Sequence, residues 1–224
     1  QRWVASRTLN INGNVNLGAN TLTLWTAAAT TTIAGVISGT GGLTRDNSAG
    51  GISLLTGANT YSGTTRIDMG ILRVTGSGAL GGTAGGSNDA GNIVFGTSNS
   101  NATLEFESSS NLGVASQIRF RNTGGTSGAG GTLRYIGTTA QSVGKTLQCD
   151  SSIGIRLESN SVGGSLTFNG AFSQSNRPLY LGGTGTGDNT LATAFTGTGG
   201  MTKTGAGTWI LSGNNTYAGL TTVQ

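Results

Sequence analysis

The sequence contains no histidine, one proline and one cysteine in 224 residues. Without imidazole the chain lacks the commonest general base and metal ligand, so no metal or cofactor centre is expected. The single Cys149 cannot form a disulfide within the chain and says little about compartment. Charged residues make up only 9%. The cations are dispersed, unlike the basic clusters of nucleic-acid binders. No stretch approaches the roughly 20 apolar residues of a transmembrane helix, so no membrane insertion of this segment is expected. Gln1-Arg2-Trp3 opens no signal peptide, since no apolar core follows it; a secreted form would have lost its targeting segment.

What the chain does contain is small and polar. Gly (42), Thr (36), Ser (23) and Asn (19) account for 120 of the 224 residues. Such a composition trips the usual flag for low complexity. Disorder, however, goes with high net charge, and twelve Lys and Arg against eight Asp and Glu leave only +4. The apolar residues also recur in short alternating runs, which is the pattern of strands. Leu9-Asn10-Ile11, Val15-Asn16-Leu17, Leu22-Thr23-Leu24, Leu72-Arg73-Val74, Leu104-Glu105-Phe106 and Ile118-Arg119-Phe120 are of this kind. So are Leu133-Arg134-Tyr135, Ile155-Arg156-Leu157, Leu166-Thr167-Phe168 and Leu179-Tyr180-Leu181. Turns rich in Gly, Asn and Ser separate them. Ala27-Ala28-Ala29 comes nearest to a helix, but Thr30-Thr31-Thr32 follows, and β-branched runs disfavour helix. The chain reads as nearly all β.

The lone Pro178, at the start of the Leu179-Tyr180-Leu181 run, favours a stacked solenoid, in which strands paired on both sides need every backbone N–H. An internal repeat points the same way. Residues 41–67 align with residues 199–223 at Gly41/Gly199, Gly42/Gly200, Thr44/Thr202 and Arg45/Lys203. After a length difference they align again at Gly57/Gly213, Asn59/Asn215, Thr60/Thr216, Tyr61/Tyr217, Gly63/Gly219 and Thr65/Thr221. This pattern resembles the passenger-associated β-strand repeat of bacterial autotransporters. Copy two matches almost throughout; copy one departs over residues 46–51, where the turn is longer. The resemblance implies a right-handed parallel β-helix, secreted or displayed at a bacterial cell surface, and no particular activity. The expected organisation is one solenoid domain over 1–224: a lead-in 1–40, copy one 41–74, irregular rungs 75–194, and an incomplete copy two 195–224.

Rungs of roughly 20–25 residues stacked ~4.8 Å apart would give about 9–11 rungs, with Leu, Ile, Val and Phe layers inside. Gly would serve the corners, and Asn59-Thr60-Tyr61 and Asn215-Thr216-Tyr217 are candidate corner ladders. Alternation places Leu72 and Val74 inward and Arg73 outward. Leu72→Asp should therefore unfold the chain, while Arg73→Asp should be mild.

Few residues suggest chemistry. Glu105 and Glu107 share a strand face, which alternation with Leu104 and Phe106 directs to solvent; an acid pair for glycoside chemistry would need a cleft of partners. Gly76-Ser77-Gly78-Ala79-Leu80-Gly81 fits a dinucleotide fingerprint in letters, but Gly81-Gly82-Thr83-Ala84-Gly85-Gly86 cannot supply the required helix. Residues 182–188 imitate a Ca²⁺-binding nonapeptide, with the Asp displaced and the unit not iterated. Arg119, Arg121, Arg134 and Arg156 form a candidate outward stripe for an anionic glycan of a host or matrix; ordinary solubility is the alternative. Cys149 shares parity with Leu147 and should face the core. The facing of Trp209, beside Ile210 and Leu211, is undetermined. Asn101-Ala102-Thr103 and Asn214-Asn215-Thr216 are glycosylation sequons.

The ends carry one further expectation. Trp3, Val4, Leu9 and Ile11 at one end and Thr221, Thr222 and Val223 at the other are candidates for head-to-tail contact, which would propagate into a filament; a cut from a longer passenger is the alternative. The overall expectation is a non-catalytic extracellular rod, stalk or fibre segment with an adhesive surface. A polysaccharide-acting β-helix enzyme is the competing reading, since fold alone does not decide function.

Overall fold

The computed structural model describes all residues except 6, 28, 48–49, 85–87, 97–101, 122–129, 151–152 and 175, and the side chain of 174. Ala28, Gly85, Gly86 and sequon residue Asn101 thus lie outside the described residues. Among those described, the regular structure is strand, apart from one 3-10 turn at Ser109–Leu112. Every strand pairing is parallel. The chain is a β-solenoid, as the alternating runs and the repeat led us to expect.

Three faces make up the coil. The first is an eight-stranded sheet from Arg2–Ala5 to Phe172–Gln174, and the second a ten-stranded sheet from Leu9–Ile11 to Thr221–Val223. The third is split: Val15–Asn16 pairs with Ile37–Ser38, and a separate four-stranded sheet joins Gln141–Val143, Leu166–Phe168, Asn189–Leu191 and Trp209–Leu211. Ten strands on the second face correspond to about nine turns. Turn length is not constant. Ile71 lies 19 residues after its partner Ile52, whereas Thr103 lies 32 residues after Ile71.

Parity builds the core. On the second face Leu72, Leu104, Leu133, Leu157 and Leu181 pair in succession as one column, and all are buried. A buried leucine contributes ~1.5–3 kcal/mol. On the first face Leu24, Arg45, Ile67, Phe95, Phe120 and Cys149 form another column. The Phe95 and Phe120 rings stack at 4.6 Å, the separation of neighbouring strands. Cys149 faces the core as its parity required. Trp209 also points inward, in register with buried Asn189, while Ile210 points out.

The early turns depart from an all-aliphatic interior. Thr26, Thr31 and Ser53 are buried. The Thr26 hydroxyl lies 3.2 Å from that of Thr31 and 2.9 Å from that of Ser53. Arg45 is completely buried beside them. Its Nη2 donates to the carbonyls of Thr26 (3.2 Å) and Gly51 (2.8 Å), and its Nε to Ile71 (3.3 Å). Burial lowers the Arg45 pKa to about 10, against the opposing influence of Asp46. The alternation Leu43-Thr44-Arg45 already puts Arg45 on the inward side; its chemistry alone would suggest the surface.

Candidate functional site

The outward positions of the second face carry an alternating charge ladder. Arg73, Glu105, Arg134 and Glu158 are direct partners on four successive turns. Arg73 Nε donates to Glu105 Oε2 at 2.6 Å, Arg134 Nη1 to Glu105 Oε1 at 2.9 Å, and Arg134 Nε to Glu158 Oε2 at 2.7 Å. Gly182 ends the column. Burial opposes the charge on Arg134, but its bonds to Glu158 and Glu105 outweigh that and hold its pKa above the ordinary value.

This geometry corrects the expectation of a solvated glutamate pair. Glu105 faces outward, as parity requires, yet it is only 3% exposed, because two arginines cover it. Glu107 accepts the Gly76 N–H at 2.7 Å. Sequence could not show this. The turn lengths decide which residue lies opposite which, and they vary too much to count along the chain.

The four candidate arginines do not form one stripe. Arg119 and Arg121 belong to the first face, where Arg119 pairs with Asp150 (2.6 Å) and Asp89 (3.5 Å), and Arg121 with Asp89 (2.6 Å). Arg134 and Arg156 belong to the second face. Arg156 lies 3.6 Å from Glu158 and stacks over Tyr180 at 5.0 Å. Burial pushes the Asp150 carboxyl up, but bonds from Gln148 and Arg119 prevail and hold it below its usual range. All four guanidinium groups therefore already face a carboxylate.

The repeat has a common geometry in its two copies. Asn59 Oδ1 accepts the Ile37 N–H and Asn215 Oδ1 the Phe195 N–H, both at 2.8 Å. The Tyr61 hydroxyl meets Thr65 at 2.5 Å, and that of Tyr217 meets Thr221 at 2.6 Å. The Asn side chains thus bond to backbone groups of the adjoining coil. A Cβ on Gly63 would come 2.5 Å from the Gly41 backbone, and one on Gly219 2.5 Å from that of Gly199; close stacking requires glycine at both. The copies nevertheless stand on different faces. Leu43–Arg45 is a first-face strand, whereas Met201–Lys203 is a second-face strand.

The third face is interrupted between its two sheets, and the Ser109–Leu112 turn forms a shelf there. Asn111 secures it, accepting the Glu107 and Ser108 N–H groups at 3.0 and 2.8 Å. Three hollows adjoin the shelf. One of about 530 Å³ runs past Thr60, Leu80 and Val114. One of about 460 Å³ is lined by Ser109, Leu112, Ser116, Ser142, Val143 and Lys145. A third of about 300 Å³ lies by Glu107 and Thr139. No sequence motif announces them; they follow from the irregular turn lengths.

At the ends, Arg2–Ala5 and Thr221–Val223 each pair on one side only. Val4 and Val223 are 57% and 76% exposed, and Leu9 and Thr221 are also exposed, while Trp3, Ile11 and Thr222 are partly covered. Asn214 of the second sequon is exposed.

The chain carries two copies of the passenger-associated-transport-repeat, matched over residues 50–74 and 201–224. It is similar to the adhesin BmaC autotransporter of Brucella suis biovar 1 (strain 1330), with 32% identity over 281 aligned positions that cover 99% of this chain and 8% of that protein. The chain thus spans less than a tenth of the length of this relative. No solved structure matches it.

Proposed function

We propose that this chain is a non-catalytic rod segment of an adhesin-type passenger, at the surface of a bacterial cell or released from it. The observation that carries the reading is the unbroken ten-stranded parallel ladder of the second face, sheathed by the Arg73–Glu105–Arg134–Glu158 column. Such a ladder makes a stiff spacer. It also engages Glu105, one of the two glutamates considered for acid–base work in a polysaccharide-cleaving enzyme. Similarity to an autotransporter named as an adhesin supports the adhesive role.

The one-sided edges of Arg2–Ala5 and Thr221–Val223 support a finer proposal: head-to-tail packing of Trp3, Val4, Leu9 and Ile11 of one copy against Thr221, Thr222 and Val223 of another. Light scattering over a concentration series tests it. Growth of the scattering mass that disappears on deleting residues 1–11 agrees; a constant monomer mass refutes it. The adhesive reading is tested with beads displaying the chain on matrix-coated surfaces, alongside assays for new reducing ends or unsaturated uronates from acidic polysaccharides. Retention without cleavage is expected. Cleavage would instead establish the enzymatic alternative.

A further inference from the structure

The arginines of the charged ladders are poorly placed to receive an outside anion. Those have carboxylate partners, whose negative charge opposes the approach of a further anion. Lys145 differs. No carboxylate lies within ion-pair distance of it among the described residues. Its Nζ donates to the carbonyls of Gly113 (2.8 Å) and Ala115 (2.5 Å). An ammonium has three donors, so one remains. Those two bonds tether the end of the side chain to the shelf, within the 460 Å³ hollow that also exposes Ser142. Burial lowers the Lys145 pKa with no acid to oppose it, the electrostatic condition that a bound anion would relieve.

We propose that the Lys145 hollow binds the carboxylate or sulfate of an acidic oligosaccharide. Ser109 and Ser142 line the same hollow, and their hydroxyls suit sugar hydroxyls. Leu112 and Val143, which also line the hollow, are buried and belong to its wall. The neighbouring 530 Å³ groove, with Val114 62% exposed at its rim, continues the surface across the shelf. That reach fits several sugar units better than a small free ion. This inference rests on the adhesive reading and names its ligand class.

The test measures binding of the full chain to chondroitin sulfate and hyaluronan hexasaccharides, which present sulfate plus carboxylate and carboxylate alone. Maltohexaose and inorganic sulfate serve as competitors. Binding to at least one acidic hexasaccharide is expected, weakening as salt is raised, unaffected by maltohexaose, and reduced by inorganic sulfate no more than by chloride at the same ionic strength. Lys145→Met should weaken it about tenfold, the loss of one charge-assisted hydrogen bond. Val114→Asp, a surface change at the rim, should also weaken it. Circular dichroism and melting establish that both variants are folded. Equal binding by wild type and both variants, no binding of either acidic hexasaccharide, or competition by inorganic sulfate beyond that of chloride at the same ionic strength would overturn the proposal. Bead adhesion that survives Lys145→Met would leave the adhesive reading standing while removing this site from it.

Discussion

Arg45 and Lys203 occupy the same position of the repeat and the same inward register, but on different faces of the coil. Arg45 pairs between Leu24 and Ile67 on the first face, and Lys203 between Leu181 and Val223 on the second. Each turns its charge onto backbone carbonyls at a corner: Arg45 onto Thr26, Gly51 and Ile71, Lys203 onto Thr204 (3.0 Å) and Gly205 (2.6 Å). The basic residue of the motif is therefore a corner clamp, and the motif encodes a local bend that can be placed on more than one face.

Replacing Glu105 with Gln should cost ~1–2 kcal/mol. Breaking a fully buried ion pair costs more, but Arg73 and Arg134 are partly exposed and solvent screens them. For a chain of this size the melting temperature should fall by roughly 2–8 °C. Glu107→Gln keeps an acceptor for Gly76 and should stay within about 0.5 kcal/mol. Equal melting shifts in the two variants would contradict the ladder.

Leu72→Asp buries a carboxylate in the leucine column, a cost of several kcal/mol, and should abolish the cooperative melt. Arg73→Asp is no longer expected to be mild, because it sets a second carboxylate against Glu105. It should lose ~1–2 kcal/mol, with Arg73→Ala losing less. Chemical denaturation of the three variants checks the order; Arg73→Asp at wild-type stability would show that the Arg73–Glu105 contact is energetically silent.

Tyr61→Phe should lose ~1–2 kcal/mol by leaving the Thr65 hydroxyl without its buried partner. Burial raises the Tyr61 pKa to about 12, with bonds to Thr65 and Gly81 opposing the shift. The unfolded chain loses this proton first. The stability the group supplies is whole below about pH 10 and is lost as pH rises through about 12. Urea midpoints measured from pH 9 to 12 should fall more steeply in the wild type than in Tyr61→Phe; parallel slopes would contradict the shift.

Gly63→Ala should cost ~2 kcal/mol or more, since its Cβ would press on the Gly41 backbone and the stacked corners would have to separate. Gly219→Ala should behave alike. Gly13, where an added Cβ would meet nothing within 4 Å, should tolerate Ala within about 0.5 kcal/mol. Thermal melts of the three variants give the comparison, and a stable Gly63→Ala would mean that the corner has slack.

Much of the fold was legible in the sequence. All ten alternating runs lie in strands or at their ends, and the repeat pointed to the solenoid. What lay beyond reach was neighbourhood. Arg134 meets Glu105 from 29 positions away and Glu158 from 24, and nothing local fixes those intervals. Arg45 shows the complementary limit: its parity was plain, but a guanidinium inside a core is intelligible only once the carbonyls of three corners converge on it. The hollow at Lys145 was equally hidden, since it exists only because the third face breaks at Ser109–Leu112.

The displacement of the repeat from one face to the next makes direction along the rod a matter of counting strands. Adding or removing one strand with its turn would preserve parallel pairing while rotating everything distal to the neighbouring side. A solenoid built this way can re-aim its outermost surface through an indel of one such unit, without redesigning the surface itself.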